Sequence, residues 1–444
     1  MAERYDAVVI GAGVAGEVCA GDLADGGMRV AICERELVAG ECGYWACIPS
    51  KTLLRPGEVL SEARQAPGAR EAITGEIDVD QALAWRNFQV SDWDDSHQSE
   101  WLTGKGIDLR RADARITGPG EVEVDGTTVQ TDRLIVATGS EPVIPPIDGL
   151  RELEGVWTNR EATGLKEVPD RLIVLGGGPV GVELGQALSR LGASVALAEG
   201  AERLLPNEAP ALGEAVAQAL SAEGIELHLG VKASAAESHG DGYSLSFEDG
   251  SELRGDRLLV ATGRRPRVSD LGLDAVGIDP KAAAKGIEVD DRMSAGDGVW
   301  AIGDVTGIWP FTHVGKYQGR VAAAGILGRQ VTADYRAVPR VVFTDPQVAA
   351  VGEVDGPRKG TAELKSISRT STYTREYDKR PGFLTLVSDG DRLIGAHAVG
   401  PEAGEWLQQA TLAIKAEVPL EVLRQTIQPY PTFSEAFFYA LADL

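Results

Sequence analysis

The chain carries the same glycine turn twice, at a fixed spacing. Gly11-Ala12-Gly13-Val14-Ala15-Gly16 follows a short apolar run, Tyr5 to Ile10, and Gly176-Gly177-Gly178-Pro179-Val180-Gly181 follows another, Leu172 to Leu175. Each turn leads into a helix-like stretch and then a second apolar run, Arg29 to Cys33 or Val195 to Ala198, which ends on an acid, Glu34 or Glu199. The three glycines and the acid are all displaced by 165 positions. A lone Gly-x-Gly-x-x-Gly is a weak signal. A strand, that turn, a helix, a strand and an acid, in order and twice over, reads as two complete dinucleotide-binding units. The first glycine makes the turn, the second lets backbone approach a pyrophosphate, and the third lets helix and strand pack closely. The helix N-terminus turns free N–H groups and the positive end of its dipole toward the phosphates. Each glutamate is placed to accept from ribose hydroxyls. A second echo closes each half: Leu134-Ile135-Val136-Ala137-Thr138-Gly139 and Leu258-Leu259-Val260-Ala261-Thr262-Gly263.

The first half is longer between its landmarks, and the extra length holds Gly40-Glu41-Cys42-Gly43-Tyr44-Trp45-Ala46-Cys47-Ile48-Pro49-Ser50-Lys51. The cysteines are spaced C-x4-C, eight and thirteen residues past Glu34. In a doubly wound fold, that end of the strand is where ligands sit. If the pair flanks a helix start, the dipole favours a thiolate, and Lys51 adds positive charge nearby. The competing readings are two unrelated buried thiols or a metal site. A metal wants further ligands, and the five histidines, His97, His228, His239, His313 and His397, are scattered. No metal is expected. Cys19, in a helix-like stretch, and Cys33, in a strand, read as small core residues. Two nucleotide sites with a cysteine pair imply a relay, in which one nucleotide brings hydride and the other, a flavin, passes two electrons to a disulfide.

At 444 residues the chain has room for about three domains. Its formal net charge of −24 leaves no basic stripe for a nucleic acid. No run of apolar residues is long enough for a membrane span, and the run after the N-terminus is too short for a signal peptide. The expected setting is the cytoplasm.

These motifs resemble the class I pyridine nucleotide-disulfide oxidoreductases, the family of dihydrolipoyl dehydrogenase, glutathione reductase and mercuric reductase. The likeness covers essentially the whole chain. Cys47-Ile48-Pro49-Ser50-Lys51 matches the end of the family's cysteine motif letter for letter, and Gly303-Asp304 resembles its second flavin-contact motif. Pro339 to Gly352 resembles the start of its C-terminal domain. The resemblance implies an α/β fold with two Rossmann-like dinucleotide-binding domains, for FAD and NAD, plus a C-terminal α+β dimerisation domain. The boundaries expected are 1–148 with 265–335 for FAD, 149–264 for NAD(P), and 338–444 for the interface. It implies FAD on Gly11, Gly13, Gly16, Glu34, Thr138, Gly139, Gly303 and Asp304. NAD(P)H is implied on Gly176, Gly178, Gly181, Glu199 and Gly263. Cys47 is implied beside the flavin, Cys42 toward a small thiol or disulfide substrate, and Lys51 with Glu183 as the ion pair near the flavin. A homodimer is implied, because the family completes each site with the partner's C-terminal segment. Glu199, followed by Gly200 where phosphate-binding relatives tend to carry arginine, favours NADH over NADPH; Arg203 is the one nearby base.

The C-terminal motif departs from the family's H-P-T-x-S-E. Here it is Tyr430-Pro431-Thr432-Phe433-Ser434-Glu435, so Tyr430 stands where the acid–base histidine belongs and Glu435 has no histidine to orient. At pH 7 only about one tyrosine in 10³ is ionised, so Tyr430 donates hydrogen bonds but is a poor base. General acid–base help is worth roughly 10²–10⁴-fold, and turnover of ordinary lipoamide or glutathione is expected to be weak. Mercuric reductase also has tyrosine there, but the last cysteine here is Cys47, so that family's C-terminal vicinal pair is absent. Tyr44 and Trp45 replace smaller spacer residues, and either reshape a substrate channel or pack at an interface. Three functions stay open: an NADH-dependent disulfide or dithiol oxidoreductase; a flavin-level reductase of quinones, oxygen or metal ions; and a non-catalytic flavoprotein. The stretch from Glu62 to Glu100 reads as largely helical, broken at Pro67-Gly68, with Trp85 and Trp93 as packing residues.

Overall fold

The computed structural model describes residues 3–240, 242–375, 379 and 381–444. The chain forms two compact units. Unit 1 is Met1–Pro49, Asn87–Val143 and Gly263–Asp334; unit 2 is Ser50–Arg86, Ile144–Thr262 and Tyr335–Leu444.

Unit 1 is built on a six-stranded sheet in the order Ser294–Gly296, Val299–Ala301, Leu134–Val136, Ala7–Ile10, Val30–Cys33, Asp108–Arg110. All neighbours are parallel except the first pair. Every residue of Ala7–Ile10 and Val30–Cys33 is buried, as central parallel strands covered on both faces require. The apolar run from Tyr5 breaks at Asp6. Glu3–Tyr5 pairs instead with Thr127–Thr131 in a second, four-stranded sheet. Asp6 makes the break: its N–H donates to the Arg29 carbonyl and its carboxylate accepts the Arg29 N–H.

Unit 2 holds the second nucleotide motif on a parallel sheet ordered Glu226–Leu229, Ser194–Glu199, Arg171–Leu175, Arg257–Val260. It also holds a five-stranded antiparallel sheet, from Pro339–Val342 to Arg358–Glu363, with the Glu435–Ala442 helix packed on it through Ala436, Phe437 and Ala440. The stretch read as helical, Glu62 to Glu100, takes in the end of the helix Cys47–Gln65, which stops just before Pro67, all of Val79–Gln89 and the start of Ser96–Gly104. Trp85 is 49% exposed.

The two glycine turns share one bonding pattern. Gly11 N–H donates to the Cys33 carbonyl and Gly176 N–H to that of Ala198, both at 2.8 Å. Both glycines have positive φ, +104° and +117°, and a Cβ there would lie 2.4 Å from the Ala137 oxygen or 2.5 Å from that of Ala261. A Cβ on Gly16 would lie 2.0 Å from the Gly11 oxygen, and one on Gly181 would lie 1.9 Å from the Gly176 oxygen. A Cβ on Gly13 or Gly178 would meet nothing within 4 Å. The first and third glycines are therefore demanded by the fold itself, whereas the middle one opens outward. Gly16→Ala is expected to destabilise the protein by about 1–3 kcal/mol through overpacking. Gly13→Ala, at φ −71° and ψ 174°, leaves unfolding of the ligand-free protein unchanged. Thermal unfolding of both variants without added nucleotide checks this; equal midpoints would contradict it.

Candidate active site

Both twelve-residue helices that come after the glycine turns, Val14–Asp25 and Pro179–Arg190, start on a glycine with no side-chain cap, Gly13 and Gly178. Their first N–H groups need an acceptor, and the space above the middle glycines lies open to one. The acids are held alike. Glu34 accepts the N–H groups of Ala12, at 2.9 Å, and Glu36, at 2.8 Å. Glu199 accepts those of Gly177, at 2.6 Å, and Ala201, at 2.8 Å. Uncapped helix starts, open middle glycines and anchored acids fit two dinucleotides. Arg203 turns aside, donating to the Pro206 carbonyl at 2.9 Å.

The cysteine segment is tied to the first turn. Ala39, in the left-handed region at φ +81°, donates its N–H to the Ala12 carbonyl at 2.8 Å. Gly40 comes next, so close that a Cβ there would lie 3.0 Å from the Gly13 Cα. Cys42 lies in the short helix Gly40–Tyr44, and Cys47 starts the helix Cys47–Gln65. The two thiols hydrogen-bond to each other. The hydroxyl of Thr312 lies 3.1 Å from the Cys42 sulfur and 3.3 Å from that of Cys47. Thr312 is also the first residue of the helix Thr312–Ile326, whose positive dipole end favours a thiolate. Thr312 stands in no motif that would have singled it out; only the fold brings it within reach of the two sulfurs.

The other two thiols, Cys19 and Cys33, are buried in the core. Burial pushes Cys19 and Cys33 up to about 12. Cys42 is also raised, first by the hydrogen bond with Cys47 and then by burial, while the Thr312 hydroxyl and the charge of Lys316 pull the other way.

A polar chain links the second flavin-type motif to the cysteines. Ser140 donates to Asp304 at 2.6 Å, Arg264 Nε donates to Ser140 at 2.8 Å, and Arg264 lies 3.5 Å from the carboxylate of Glu41, next to Cys42. Thr138 donates to the Arg267 carbonyl at 2.7 Å. Gly139, Gly263 and Gly303 all have positive φ, and the Gly303 N–H donates to the buried Gln318 at 2.7 Å. Tyr44 is buried, and its hydroxyl donates to Gln98 at 3.3 Å. Trp45 instead lies 5.5 Å, centroid to centroid, from Trp93. Trp93 ends a run of three left-handed residues, Ser91, Asp92 and Trp93, each a conformation that costs about 1–2 kcal/mol.

In unit 2, Lys51 donates to Glu183 at 2.6 Å, and the other oxygen of Glu183 accepts the Phe343 N–H at 2.8 Å. The sequence-predicted pair is thus brought together, with Glu183 only 4% exposed. Tyr430 is 73% exposed, and Glu435 begins the helix Glu435–Ala442. No helix among the described residues is long and apolar enough to cross a membrane.

With this geometry, comparison with known proteins is decisive. The model of the pyridine nucleotide-disulphide oxidoreductases matches residues 5–319, and the model of that family's dimerisation domain matches residues 338–441. The chain belongs to this family. A dihydrolipoyl dehydrogenase of Thermus scotoductus is 36% identical, covering 100% of this chain and 98% of its own. A mercuric reductase of Acidithiobacillus ferrooxidans is also 36% identical, covering 96% of this chain and 80% of its own. Among solved structures, the HOCl-induced flavoprotein disulfide reductase RclA from Escherichia coli has a TM-score of 0.86 at 26% identity and covers 99% of both chains. Membership fixes an α/β flavoprotein oxidoreductase with FAD- and NAD-binding parts and a dimerisation domain, as the motifs implied.

One carboxylate in the site is unusual. Burial, with the charge of Glu34 adding to it and Lys316 opposing, pushes Glu17 up to about 7. The folded value lies above the ordinary 4.5, so Glu17 contributes stability below that pH, and the contribution is lost as pH rises through about 7. Glu17→Gln should raise the unfolding midpoint at pH 8.5 by about 1–2 °C, with the gap closing by pH 5. A gap equal at both pH values would contradict the assignment.

Proposed function

We propose that the protein passes electrons between NADH and a small disulfide or dithiol, in an FAD-containing homodimer, through a Cys42–Cys47 disulfide. The observation that carries this reading is the thiol pair: two free thiols hydrogen-bonded to each other and both within reach of the Thr312 hydroxyl, on a segment anchored to the first glycine turn. FAD would be held by Gly11, Gly13, Gly16, Glu34, Thr138, Gly139, Gly303 and Asp304, and the nicotinamide nucleotide by Gly176, Gly178, Gly181 and Glu199. Together they supply two-electron transfer between the nucleotide and the disulfide.

The cysteines do the exchange. The Cys42 thiolate attacks one substrate sulfur, the substrate S–S bond breaks, and the second substrate sulfur leaves as a thiolate that takes a proton. The Cys47 thiolate then attacks Cys42, the Cys42–Cys47 bond forms, and the first substrate sulfur leaves. Dithiol oxidation runs the same steps backward. Tyr430 of the partner subunit would donate a hydrogen bond to the leaving sulfur without acting as its base. Lys51 and Glu183 hold a fixed charge pair for the flavin side. Glu199, bonded to Gly177 and Ala201, disfavours a 2′-phosphate, and Arg203, engaged by Pro206, does not offset it. A kcat/KM preference for NADH of about tenfold corresponds to about 1.4 kcal/mol.

The second reading, flavin-level reduction of quinones, oxygen or metal ions, is fitted without being favoured by the mercuric reductases and by a solved Cu(II) complex of RclA. Cys42→Ser separates the two. On the proposed path, the variant keeps NADH bleaching of the flavin but loses disulfide turnover by at least about 100-fold, while the wild type develops a long-wavelength absorbance band under anaerobic NADH. Undiminished acceptor turnover in Cys42→Ser would overturn the disulfide exit.

A further inference from the structure

We propose that Glu41 is a positioning residue for the cysteine pair: its ion pairs with Arg264 and Arg267 brace the Cys42 end of the redox segment and keep that sulfur within reach of Cys47. This deepens the disulfide-exchange reading and rests on it.

All the parts lie in unit 1. Glu41 is the residue before Cys42 on the helix Gly40–Tyr44, which has five residues and starts on Ala39 without a side-chain cap. A helix that short has little stability of its own. Backbone ties its start, through the Ala39 N–H to the Ala12 carbonyl. The Glu41 side chain makes a second tie. One carboxylate oxygen lies 3.5 Å from Arg264 Nη2, and the other lies 3.9 Å from Arg267 Nη2.

Both arginines are themselves anchored. Arg264–Pro266 pairs antiparallel with Ser140–Pro142. Arg264 donates through Nε to the Ser140 hydroxyl at 2.8 Å and through Nη2 to the Ser140 carbonyl at 2.9 Å. The Arg267 N–H donates to the Gly139 carbonyl at 3.0 Å, and its carbonyl accepts from the Thr138 hydroxyl at 2.7 Å. The Glu41 side chain is 19% exposed, and those of Arg264 and Arg267 are 24% and 22% exposed, so water screens these pairs less than it does on an open surface. An acid on a five-residue helix, set between two anchored cations, is held by them. Beside it the Thr312 hydroxyl meets both sulfurs, at 3.1 and 3.3 Å.

Holding two thiols together raises their effective concentration toward each other and favours the disulfide. A looser Cys42 gives the dithiol more freedom and makes the disulfide easier to reduce. An effect of charge alone has a different signature. Removing the acid would favour the Cys42 thiolate, whereas removing an arginine would disfavour it. A brace therefore shifts both variants the same way, and a bare field shifts them in opposite ways.

The test is the equilibrium of the cysteine pair with dithiothreitol. The FAD-loaded full chain is held anaerobically in mixtures of reduced and oxidised dithiothreitol, quenched with iodoacetamide and read by peptide mass spectrometry. The Cys42–Cys47 bond breaks, the two dithiothreitol thiols close to a cyclic disulfide, and their two protons pass to Cys42 and Cys47. Glu41→Gln and Arg264→Gln are each expected to lower by about threefold the ratio of reduced to oxidised dithiothreitol at which half the pair is reduced. The double variant moves it no further than either alone, because one interaction is lost in all three. Arg265→Gln removes a like charge from the same strand, but Arg265 is 63% exposed and pairs with Glu141 at 2.8 Å, so the wild-type ratio is kept. An unshifted ratio in Glu41→Gln, an equal shift in Arg265→Gln, or opposite shifts in Glu41→Gln and Arg264→Gln overturn the proposal. If Arg264→Gln fails to fold or loses its flavin absorbance, Arg267→Gln decides in its place. Undiminished acceptor turnover in Cys42→Ser would remove the exchange reading alone, since the dithiothreitol equilibrium reports on the two sulfurs whatever the substrate.

Discussion

The contact between a helix and the glycine turn before it positions most of the functional groups of unit 1. With no Cβ on Gly16, the first helix sits on the Gly11 carbonyl, and with none on Gly11 the turn passes the Ala137 carbonyl. The same turn presents the Ala12 carbonyl to Ala39 and the Gly13 Cα to Gly40. The redox segment is therefore placed by backbone contacts to the nucleotide turn. Moving the turn by one methyl group would move the cysteines.

Around the sulfurs the physics runs in two directions. Burial and a second thiol make ionisation harder. A hydroxyl, a helix start and a lysine make it easier. Burial raises Cys19 and Cys33 as well, and at Cys33 the charge of Arg110 opposes it. The groups that favour the Cys42 thiolate come from the helix Thr312–Ile326, far away in sequence.

What the sequence made legible was local. The glycines, the acids at the strand ends, the cysteine spacing and the Lys51–Glu183 pair each carry a signal within a few residues or in a known motif, and the structure gives each of those glycines and acids the contacts its motif needs. Thr312, Ser140, Arg264 and Lys316 carry no such signal, because their part depends on which strand and helix ends the parallel sheet brings together. The break at Asp6 was hidden for another reason: an apolar run shows where strands lie, whereas the turn depends on Arg29, which pairs with Asp6 only after folding. Tyr44 and Trp45 looked alike in the sequence, and burial separates them, one in the core and the other against Trp93.

The central claim is that the cysteine pair is a second redox centre in series with the flavin. Counting electrons tests it most directly. In an anaerobic dithionite titration of the FAD-loaded protein, the account predicts that full reduction takes two molecules of dithionite, four electrons, per subunit, and that the double variant Cys42→Ser, Cys47→Ser takes one molecule, two electrons. A wild type that is fully reduced by one molecule of dithionite, two electrons, would show that the cysteines hold no electrons, and would contradict the account.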